Sequence, residues 1–169
     1  MKRISALIFL TLCFAVFGQD KLPEFPRNEK GEITYQEVVQ VEGVSAAELR
    51  SRARAWIANT FRSAKDVVQL DDAEAGRIIV KGLLGATWNI SKRLARTDYF
   101  RHTLTIEIKD GRYRYTLDSF ALTSKQEDTD TPIEEDLRIH GQKHPEIAAK
   151  LYSALVVSID SEIASPTGH

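Results

Sequence analysis

The sequence predicts an α+β domain in which two helices cover one face of a curved antiparallel sheet, in the order strand, helix, four strands, helix. Two amphipathic helical patterns lie near the beginning and the end of the chain. Between them, apolar and polar residues alternate in segments separated by turn signals, and this period of two is typical of half-buried strands. Helices on one face of an antiparallel sheet form a stable layered arrangement that leaves the other face open to solvent.

The first strand and the first helix follow directly after Gly31. Apolar and polar residues alternate from Ile33 to Val41, although the pattern is interrupted at Glu37 and Val38. The sequence Ser45-Ala46-Ala47-Glu48 is a capping box, in which the serine hydroxyl and the glutamate carboxylate bind orphan backbone amides at a helix start. A helix is therefore predicted over residues 46–62, with an apolar stripe at spacings of three and four. The stripe consists of Leu49, Ala53, Trp56, Ile57, Thr60 and Phe61.

Four strands are predicted between the two helices. The first three are Asp66–Leu70, Arg77–Leu84 and Tyr99–Lys109. A loop over residues 91–98 is expected between the second and the third. The dipeptide Asp110-Gly111 then predicts a tight hairpin with a type I′ turn, in which both residues have positive φ. In the returning strand the apolar set changes parity after Leu117, which predicts a bulge near Asp118-Ser119.

The last part of the chain is predicted to be helical. Thr131-Pro132-Ile133-Glu134 has the pattern of a short helix start, with proline at the first helical position. Pro145 is expected to open a long final helix. Its apolar face consists of Ile147, Leu151, Leu155, Val156, Ile159 and Ile163.

Residues 1–18 have the pattern of a secretory signal peptide. Two cations precede an apolar run from Ile4 to Phe17, and cleavage is expected between Gly18 and Gln19. This run is shorter than the roughly 20 apolar residues that a membrane-spanning helix needs. We therefore expect an exported protein, either periplasmic, associated with the cell envelope or secreted, with no transmembrane segment after cleavage.

Cys13 is the only cysteine of the chain, and it lies within the predicted signal peptide. A lipid anchor at Cys13 would require a small residue immediately before it, whereas Leu12 stands there and the apolar run continues beyond the cysteine. We therefore expect Cys13 to be removed on cleavage, so that the mature chain forms no disulfide. After the signal peptide we expect a flexible lead over residues 19–30, a single domain over 31–164 and a C-terminal tail over 165–169.

Three stretches of the chain resemble a known family. They are GEITYQEVVQVEGVSAAELRSRARAWIANTF, QLDDAEAGRIIVKG and KDGRYRYTLDSF. These stretches are similar to an exported bacterial domain of unknown function with a TATA-binding-protein-like (TBP-like) fold, and the resemblance extends over residues 31–164. It implies the same order of strands and helices as the patterns above. It implies no catalytic residues, and the name of the fold does not imply DNA binding, because function depends on sites rather than on folds.

Titratable residues give only weak indications of chemistry. His140 and His144 have the spacing of a metal-binding pair on a helix, but a break between two helices is the better interpretation, because Pro145 follows at once. His102 alternates with Phe100 and Leu104, which favours a core or interface histidine with satisfied hydrogen bonds over a catalytic base. Motifs for a nucleophile, a phosphate loop or a calcium loop are absent from the sequence. We therefore expect no catalytic residue, metal site or cofactor.

The distribution of charge is uneven along the chain. Residues Arg77 to Arg114 have a formal net charge of +6, and residues Tyr115 to Glu146 have a formal net charge of −5. Two solvated surfaces of opposite charge would account for this distribution, and so would a polarised face that recognises a ligand. In the central hairpin one parity is apolar, so the polar parity should line the open face of the sheet. The candidate binding residues on this face are Arg77, Lys81, Arg101, Arg112 and Arg114.

These observations favour a binding module of the cell envelope. Removal of residues 1–18 would change the formal net charge from −1 to −3, which argues against a nucleic-acid partner. We interpret the chain as a non-catalytic ligand- or protein-binding module, whose partner is an envelope protein, a glycan or an anionic ligand. Two alternatives are a hydrolase that acts on a cell-envelope substrate and a purely structural envelope module.

Overall fold

The computed structural model describes residues 25–92, 94–123, 130–135 and 143–164. Its strands and helices are β1 (Tyr35–Gln40), α1 (Ala46–Thr60), α2 (Ala64–Val67), β2 (Val68–Asp72), β3 (Arg77–Ser91), β4 (Leu94–Lys109), β5 (Arg112–Thr123), β6 (Asp130–Pro132) and α3 (Lys143–Ile159), followed by a π-helical turn (Asp160–Ala164). In this part of the chain the strands form one antiparallel sheet in the order β1-β5-β4-β3-β2, and β6 pairs with the end of β5. The predicted α+β class and element order are therefore confirmed, with α2 and β6 as short additions.

Helix α1 begins where the sequence predicts. The Ser45 hydroxyl accepts a hydrogen bond from the backbone N–H of Glu48 at 3.2 Å. The Glu48 carboxylate accepts a hydrogen bond from Arg52 at 3.0 Å, so this carboxylate is used along the helix rather than in the reciprocal half of the predicted capping box. The predicted stripe is buried against the sheet, and its most deeply buried members are Leu49, Ala53, Trp56 and Ile57.

The bulge predicted in β5 is present. Arg101 lies opposite Ala121, whereas Thr103 lies opposite Asp118, so β5 has one residue more than β4 over this interval. Ser119, within the bulge, has a φ of 55°, a left-handed conformation that some bulges contain and that is rare for residues other than glycine. The bulge changes the parity of β5, so that Leu117 and Phe120 both remain in the core.

The predicted hairpin at Asp110-Gly111 is confirmed, but its turn type is not. Lys109 pairs with Arg112, which leaves two residues in the turn, and only Gly111 has positive φ, at 73°. The Asp110 carboxylate accepts a hydrogen bond from the backbone N–H of Ala46 at 2.7 Å, and the Gly111 N–H donates to the carbonyl of Val44 at 2.8 Å. These contacts with the start of α1 select a conformation that the isolated dipeptide does not predict.

The predicted loop over residues 91–98 is wrong. β3 and β4 remain paired until Ser91 meets Leu94, and the Thr87 and Thr97 hydroxyls are hydrogen-bonded across the ladder at 2.8 Å. Polar cross-strand pairs stabilise this ribbon without the apolar alternation that identifies a half-buried strand. The strand predicted from Asp66 also begins later than expected, because residues 64–67 form α2.

The end of the chain differs from the prediction in two respects. Residues 130–132 form β6 before a helical segment at 133–135, and α3 begins at Lys143 rather than at Pro145. The deeply buried residues of the last helix and the following turn are Ala148, Tyr152, Leu155, Ile159 and Ile163. The predicted Leu151 and Val156 are only partly buried, because the stripe is centred on Tyr152, whose ring lies 4.2 Å from the ring of Phe120. The side chain of Ile147 lies outside the described part of the structure.

The last residues of the predicted lead pack on the domain. Phe25 is buried in the core, and Arg27 forms an antiparallel bridge with Ile33. Phe25 and Arg27 thus contact the domain although the segment has a polar composition, because burial of the phenyl ring is favourable. The predicted signal peptide, the cleavage site, Cys13 and the C-terminal tail lie outside the described residues. None of the helices that the structure describes is long and apolar enough to cross a membrane.

Replacement of Trp56 by alanine should destabilise the domain strongly. The indole is 1% exposed, and its N–H donates to the Ser158 hydroxyl at 3.2 Å, which connects α1 to α3. We expect Trp56→Ala to lower the free energy of unfolding by about 3–5 kcal/mol, measured by urea denaturation. Ser45→Ala, which removes only the helix cap, should cost about 1 kcal/mol. Equal small losses in both variants would contradict the packing of α1 described above.

Candidate functional site

All five predicted binding residues are exposed on the open face of the sheet, at positions that alternate with the core. In the register of the sheet, Arg77 lies opposite Glu107, and Glu107 lies opposite Arg114. Two residue pairs further along the hairpin, and again on the open face, Arg112 lies opposite Lys109. The open face therefore brings Arg77, Arg112 and Arg114 together at the end of the β4–β5 hairpin.

Glu107 joins the two outer arginines of this group. Its carboxylate accepts a hydrogen bond from Arg77 Nη2 at 2.9 Å and another from Arg114 Nε at 2.7 Å, with Arg114 Nη2 also in contact. The hydrogen bonds from Arg114 and then Arg77 lower the pKa of Glu107 below its usual value. Glu107 is thus a carboxylate anion that orients two guanidinium groups and neutralises part of their charge.

A shallow cavity of about 270 Å³ lies beside this cluster. It is lined by Val38, Glu107, Lys109, Arg112, Tyr113 and Arg114. Among the described residues, Lys109 and Arg112 have no carboxylate partner within ion-pair distance. Val38 of β1 is 49% exposed and lies opposite Arg114 in the register, so an apolar surface adjoins the cations. We call these lining residues the hairpin-end site.

The backbone under the hairpin-end site is rigidly held. Asp110 and Gly111 are bonded to the start of α1, and the Gly111 carbonyl also accepts a hydrogen bond from the Val41 N–H at 2.8 Å. β1 and α1 therefore hold the hairpin turn from two sides. Lys109 and Arg112 project from a fixed support, and less backbone entropy is lost when they contact a ligand.

The other two predicted residues lie apart from this site. Arg101 is separated from Glu107 by six residues of β4, or about 20 Å of extended chain. It forms an ion pair with Asp130 of β6, whose carboxylate also accepts a hydrogen bond from Thr123 at 2.8 Å. Lys81 is exposed on β3 opposite Thr103. The predicted set therefore divides into a hairpin-end group and two separate cations.

Four lining residues of the hairpin-end site were not among the predicted binding residues: Val38, Glu107, Lys109 and the core residue Tyr113. In the sequence, Lys109 is only the last residue of a strand, Glu107 is one polar position of the face among several, and Val38 only interrupts a strand pattern. The position of Lys109 and Arg112 on either side of Asp110-Gly111 is the available signal, because residues that flank a two-residue turn are cross-strand neighbours. The contribution of Val38 depends on the pairing of β1 with β5, which no local pattern reveals.

Comparison with protein families identifies the relatives of this chain. The family model described as a domain of unknown function (DUF4468) with TBP-like fold matches residues 35–123, more than half of the 169-residue chain. The chain belongs to the DUF4468 family. The match includes Glu107, Lys109, Arg112 and Arg114, so the hairpin-end site of this DUF4468 domain lies within the family region. The resemblance inferred from the sequence is thereby confirmed.

Two solved structures share the fold of the DUF4468 domain. A DUF4468 family protein from Bacteroides ovatus ATCC 8483 superimposes with a TM-score of 0.60 and 16% identity, covering 86% of this chain and 94% of that chain. A TBP-like protein from Parabacteroides distasonis ATCC 8503 gives a TM-score of 0.57 and 13% identity, covering 81% of this chain and 97% of that chain. Identities this low establish the fold alone. No match was found among curated proteins.

A second polar cluster of the DUF4468 domain lies where β1 meets the π-helical turn. The Tyr115 hydroxyl donates to the Glu37 carboxylate at 3.1 Å, and the Tyr113 hydroxyl donates to the Ile159 carbonyl at 3.4 Å. Burial and the nearby charge of Glu37 raise the pKa of Asp160 above its usual value. Burial also raises the pKa of both tyrosines, which stay protonated and act as donors.

The described residues contain no group of three or more metal-ligating side chains close enough to hold an ion. His140, one of the two histidines with metal-pair spacing, lies outside those residues, and only the backbone of His144 is described, in the first turn of α3.

His102 is a core residue, as predicted, but its hydrogen bonds are not satisfied. The side chain is fully buried, and neither ring nitrogen has a hydrogen-bond partner among the described residues. The imidazole packs against Phe61 and Tyr152, with ring centroids 6.1 and 5.7 Å away. A Cβ on Gly82 would lie 2.3 Å from its Nε2, so the ring occupies space that only glycine leaves open. The expectation of a satisfied histidine is wrong, because the sheet surrounds the ring with aromatic and backbone carbon.

His102 should make the domain less stable in mild acid. Burial lowers the pKa of His102 from 6.5 to about 4, so in this pH interval only the unfolded chain binds the proton. The associated stability is fully present above pH 6.5 and is lost as the pH falls towards 4. Between pH 7.5 and pH 5, the unchanged domain should lose about 2 kcal/mol of unfolding free energy that the His102→Leu variant does not lose. Urea denaturation at both pH values measures this difference, and parallel pH profiles would contradict it.

Proposed function

We propose that this domain is a non-catalytic binding module that recognises an anionic group at the hairpin-end site. The observation that carries this proposal is the pairing of Lys109 with Arg112 across a braced turn, with no carboxylate partner among the described residues. Two adjacent unneutralised cations repel each other, and this repulsion is relieved when an anion binds between them.

Arg114 extends the same site. Its Nε and Nη2 bind Glu107, which leaves the N–H groups of Nη1 available to a ligand. Glu107 also excludes a second carboxylate from its own position, so the anion is directed towards Lys109 and Arg112. The local formal charge of these four side chains is +2, which suits one phosphate, sulfate or carboxylate group better than a polyanionic strand.

The shape of the face favours binding over catalysis. The cavity at the hairpin end is shallow and open, whereas catalytic pockets exclude water from the reacting atoms. Among the described side chains, Glu37 and Asp160 do not converge with His102, because both acids lie at the β1 edge and His102 is enclosed in the core. The hydrolase alternative would rest on Glu37 and Asp160, whose neighbouring tyrosines are protonated donors rather than nucleophiles.

The ligand that fits is an anionic group attached to a polar or partly apolar body. Val38 offers a small apolar contact beside the cations, and Thr105 and Thr116 continue the open face away from the turn as a cross-strand pair. An acidic envelope protein and an anionic glycan both carry such an anionic group. They differ in the part of the ligand that would lie on Thr105 and Thr116, which is a polypeptide in one case and a sugar in the other.

Removal of the two unpaired cations should abolish anion binding. We expect Lys109→Gln with Arg112→Gln to eliminate the phosphate-induced shifts of backbone amide signals at residues 107–114 in an NMR titration with inorganic phosphate. The melting temperature should stay nearly unchanged, because exposed charges contribute little to stability.

A matched pair of substitutions tests whether position or total charge matters. Lys81→Gln with Arg101→Gln removes the same number of cations from the same face, and Arg101 lies about 20 Å of extended chain from Glu107. This variant should keep the phosphate shifts. Equal loss in both variants would leave only a diffuse electrostatic effect, and an absence of shifts in the unchanged domain would favour the structural-module alternative. Titration with acetate distinguishes a preference for carboxylate from one for phosphate.

We also propose that the chain is exported and begins at Gln19 after cleavage. The cationic start, the apolar run and the small residue Gly18 support this proposal. Intact-mass measurement of the protein recovered outside the cytoplasm should give the mass of residues 19–169. A product that begins with an acylated Cys13, or one that retains residues 1–18, would contradict it.

A further inference from the structure

One edge of the sheet lacks a neighbouring strand over most of its length. β2 pairs with β3 only from Arg77 to Val80, whereas β3 pairs with β4 as far as Ser91. In the described part of the chain, no strand pairs with Lys81–Ser91 on the side away from β4. Along this stretch, which we call the free edge, every second residue directs its backbone N–H and C=O away from the sheet.

The other edges of the sheet are protected. β2 is only five residues long and ends in Asp71 and Asp72, and Arg50 pairs with Asp71 at 2.5 Å. On the opposite side, β1 carries the exposed Glu37 and contacts the π-helical turn, while β6 covers the end of β5. Short strands, charged side chains and covering segments are the usual means by which proteins prevent pairing between sheet edges.

Beyond Lys81, the free edge has none of these protections within its own sequence. Residues 82–91, GLLGATWNIS, contain no charged residue and no proline. Leu83 is 48% exposed on the open face, and Gly85 beside it is also exposed. A long uncharged edge of this composition is the pattern that favours association with another strand.

The geometry points to a symmetric dimer in which the free edges of two copies pair antiparallel. In an antiparallel pair of identical strands, backbone groups that point outward must meet outward-pointing groups of the other copy. This happens only when one residue lies directly opposite its own copy, with the two-fold axis between the two. Each strand must also end before it meets the β2 of the other copy, which covers the edge up to Val80. The longest register that satisfies both conditions places Ala86 opposite the partner subunit's Ala86 and Lys81 opposite the partner subunit's Ser91.

Charge and side-chain size are compatible with this register. Lys81 is the only charged residue between positions 81 and 91, and the two-fold axis places the two copies of it about 33 Å apart, at opposite ends of the ribbon. Gly85 lies opposite the partner subunit's Thr87, so no two bulky exposed side chains meet next to the axis. The pairing satisfies the outward backbone groups of both free edges and removes the exposed edge altogether.

The dimer would produce one continuous sheet with both open faces on the same side. The two-fold axis of an antiparallel strand pair is perpendicular to the sheet, so the helices of the two copies also share one side. The two hairpin-end sites then face a common partner from one surface. The dimer itself depends only on the free edge, and it stands or fails independently of the proposed anion binding.

A cysteine on the two-fold axis tests the register. In a Cys13→Ser background, Ala86→Cys places two cysteines directly opposite each other, with Cβ atoms about 4.5–5.5 Å apart, and mild oxidation should cross-link the dimer. Lys81→Cys is the matched control, because its two copies lie far apart, and it should stay uncross-linked.

Sedimentation equilibrium of the unchanged chain should show a concentration-dependent monomer–dimer equilibrium.

Lysines on the free edge give a second, independent test. Leu83→Lys with Thr87→Lys brings positive charges of the two copies next to each other across the axis, while both positions are exposed in the monomer. We expect at least a tenfold rise in the dimer dissociation constant with an unchanged melting temperature. The proposal is overturned by a monomeric chain at all concentrations, by a dimer that tolerates both lysines, by cross-linking of the Lys81→Cys variant as readily as of the Ala86→Cys variant, or by open polymers in place of dimers.

Discussion

In the part of the chain that the structure describes, helices cover only one face of the sheet, and this asymmetry determines which residues are available for function. Period-two alternation in β4 places Phe100, Leu104 and Ile106 under the helices and every intervening residue on the open face. A slip of one residue would exchange the two sets, so the register is strongly specified by burial. The bulge at Asp118-Ser119 is the one place where β5 changes parity, and it keeps the strand in the core past that point.

Charge on the open face is organised around Glu107. A single carboxylate between Arg77 and Arg114 spans three adjacent strands, and its low pKa keeps it ionised at physiological pH. Exposed ion pairs of this kind add little stability, because water competes for the same groups. The ion pairs hold two guanidinium groups in defined orientations. Lys109 and Arg112 are then the cations of this group that have no carboxylate partner among the described residues. A count of cations along the sequence does not reveal which of them are paired with carboxylates.

Local signals predict the features that depend on local physics. Ser45 caps α1, Asp110-Gly111 turns the hairpin, and the change of parity locates the bulge, since each of these depends on backbone geometry within a few residues. The features that the sequence does not predict depend on distant partners. The turn type at Gly111 is set by Val44, Arg101 is neutralised by Asp130, and His102 loses its expected hydrogen bonds because Phe61, Gly82 and Tyr152 surround it. The end of the β3–β4 ribbon, around residues 91–98, escapes prediction because its sequence shows no apolar alternation.

Pairing through the free edge, as proposed above, would bear directly on how strongly the open face binds a ligand. A shallow site of about 270 Å³ buries little of any ligand, so a single copy has few contacts with which to offset the entropy of association. Salt and water further weaken exposed charge pairs. Two such sites held on one side of a continuous sheet convert the second binding event into an intramolecular one, which raises the overall affinity for an extended or repetitive anionic partner without any new contact. Pairing through the free edge is the arrangement that leaves both faces uncovered, because antiparallel edges join in the plane of the sheet and not across it.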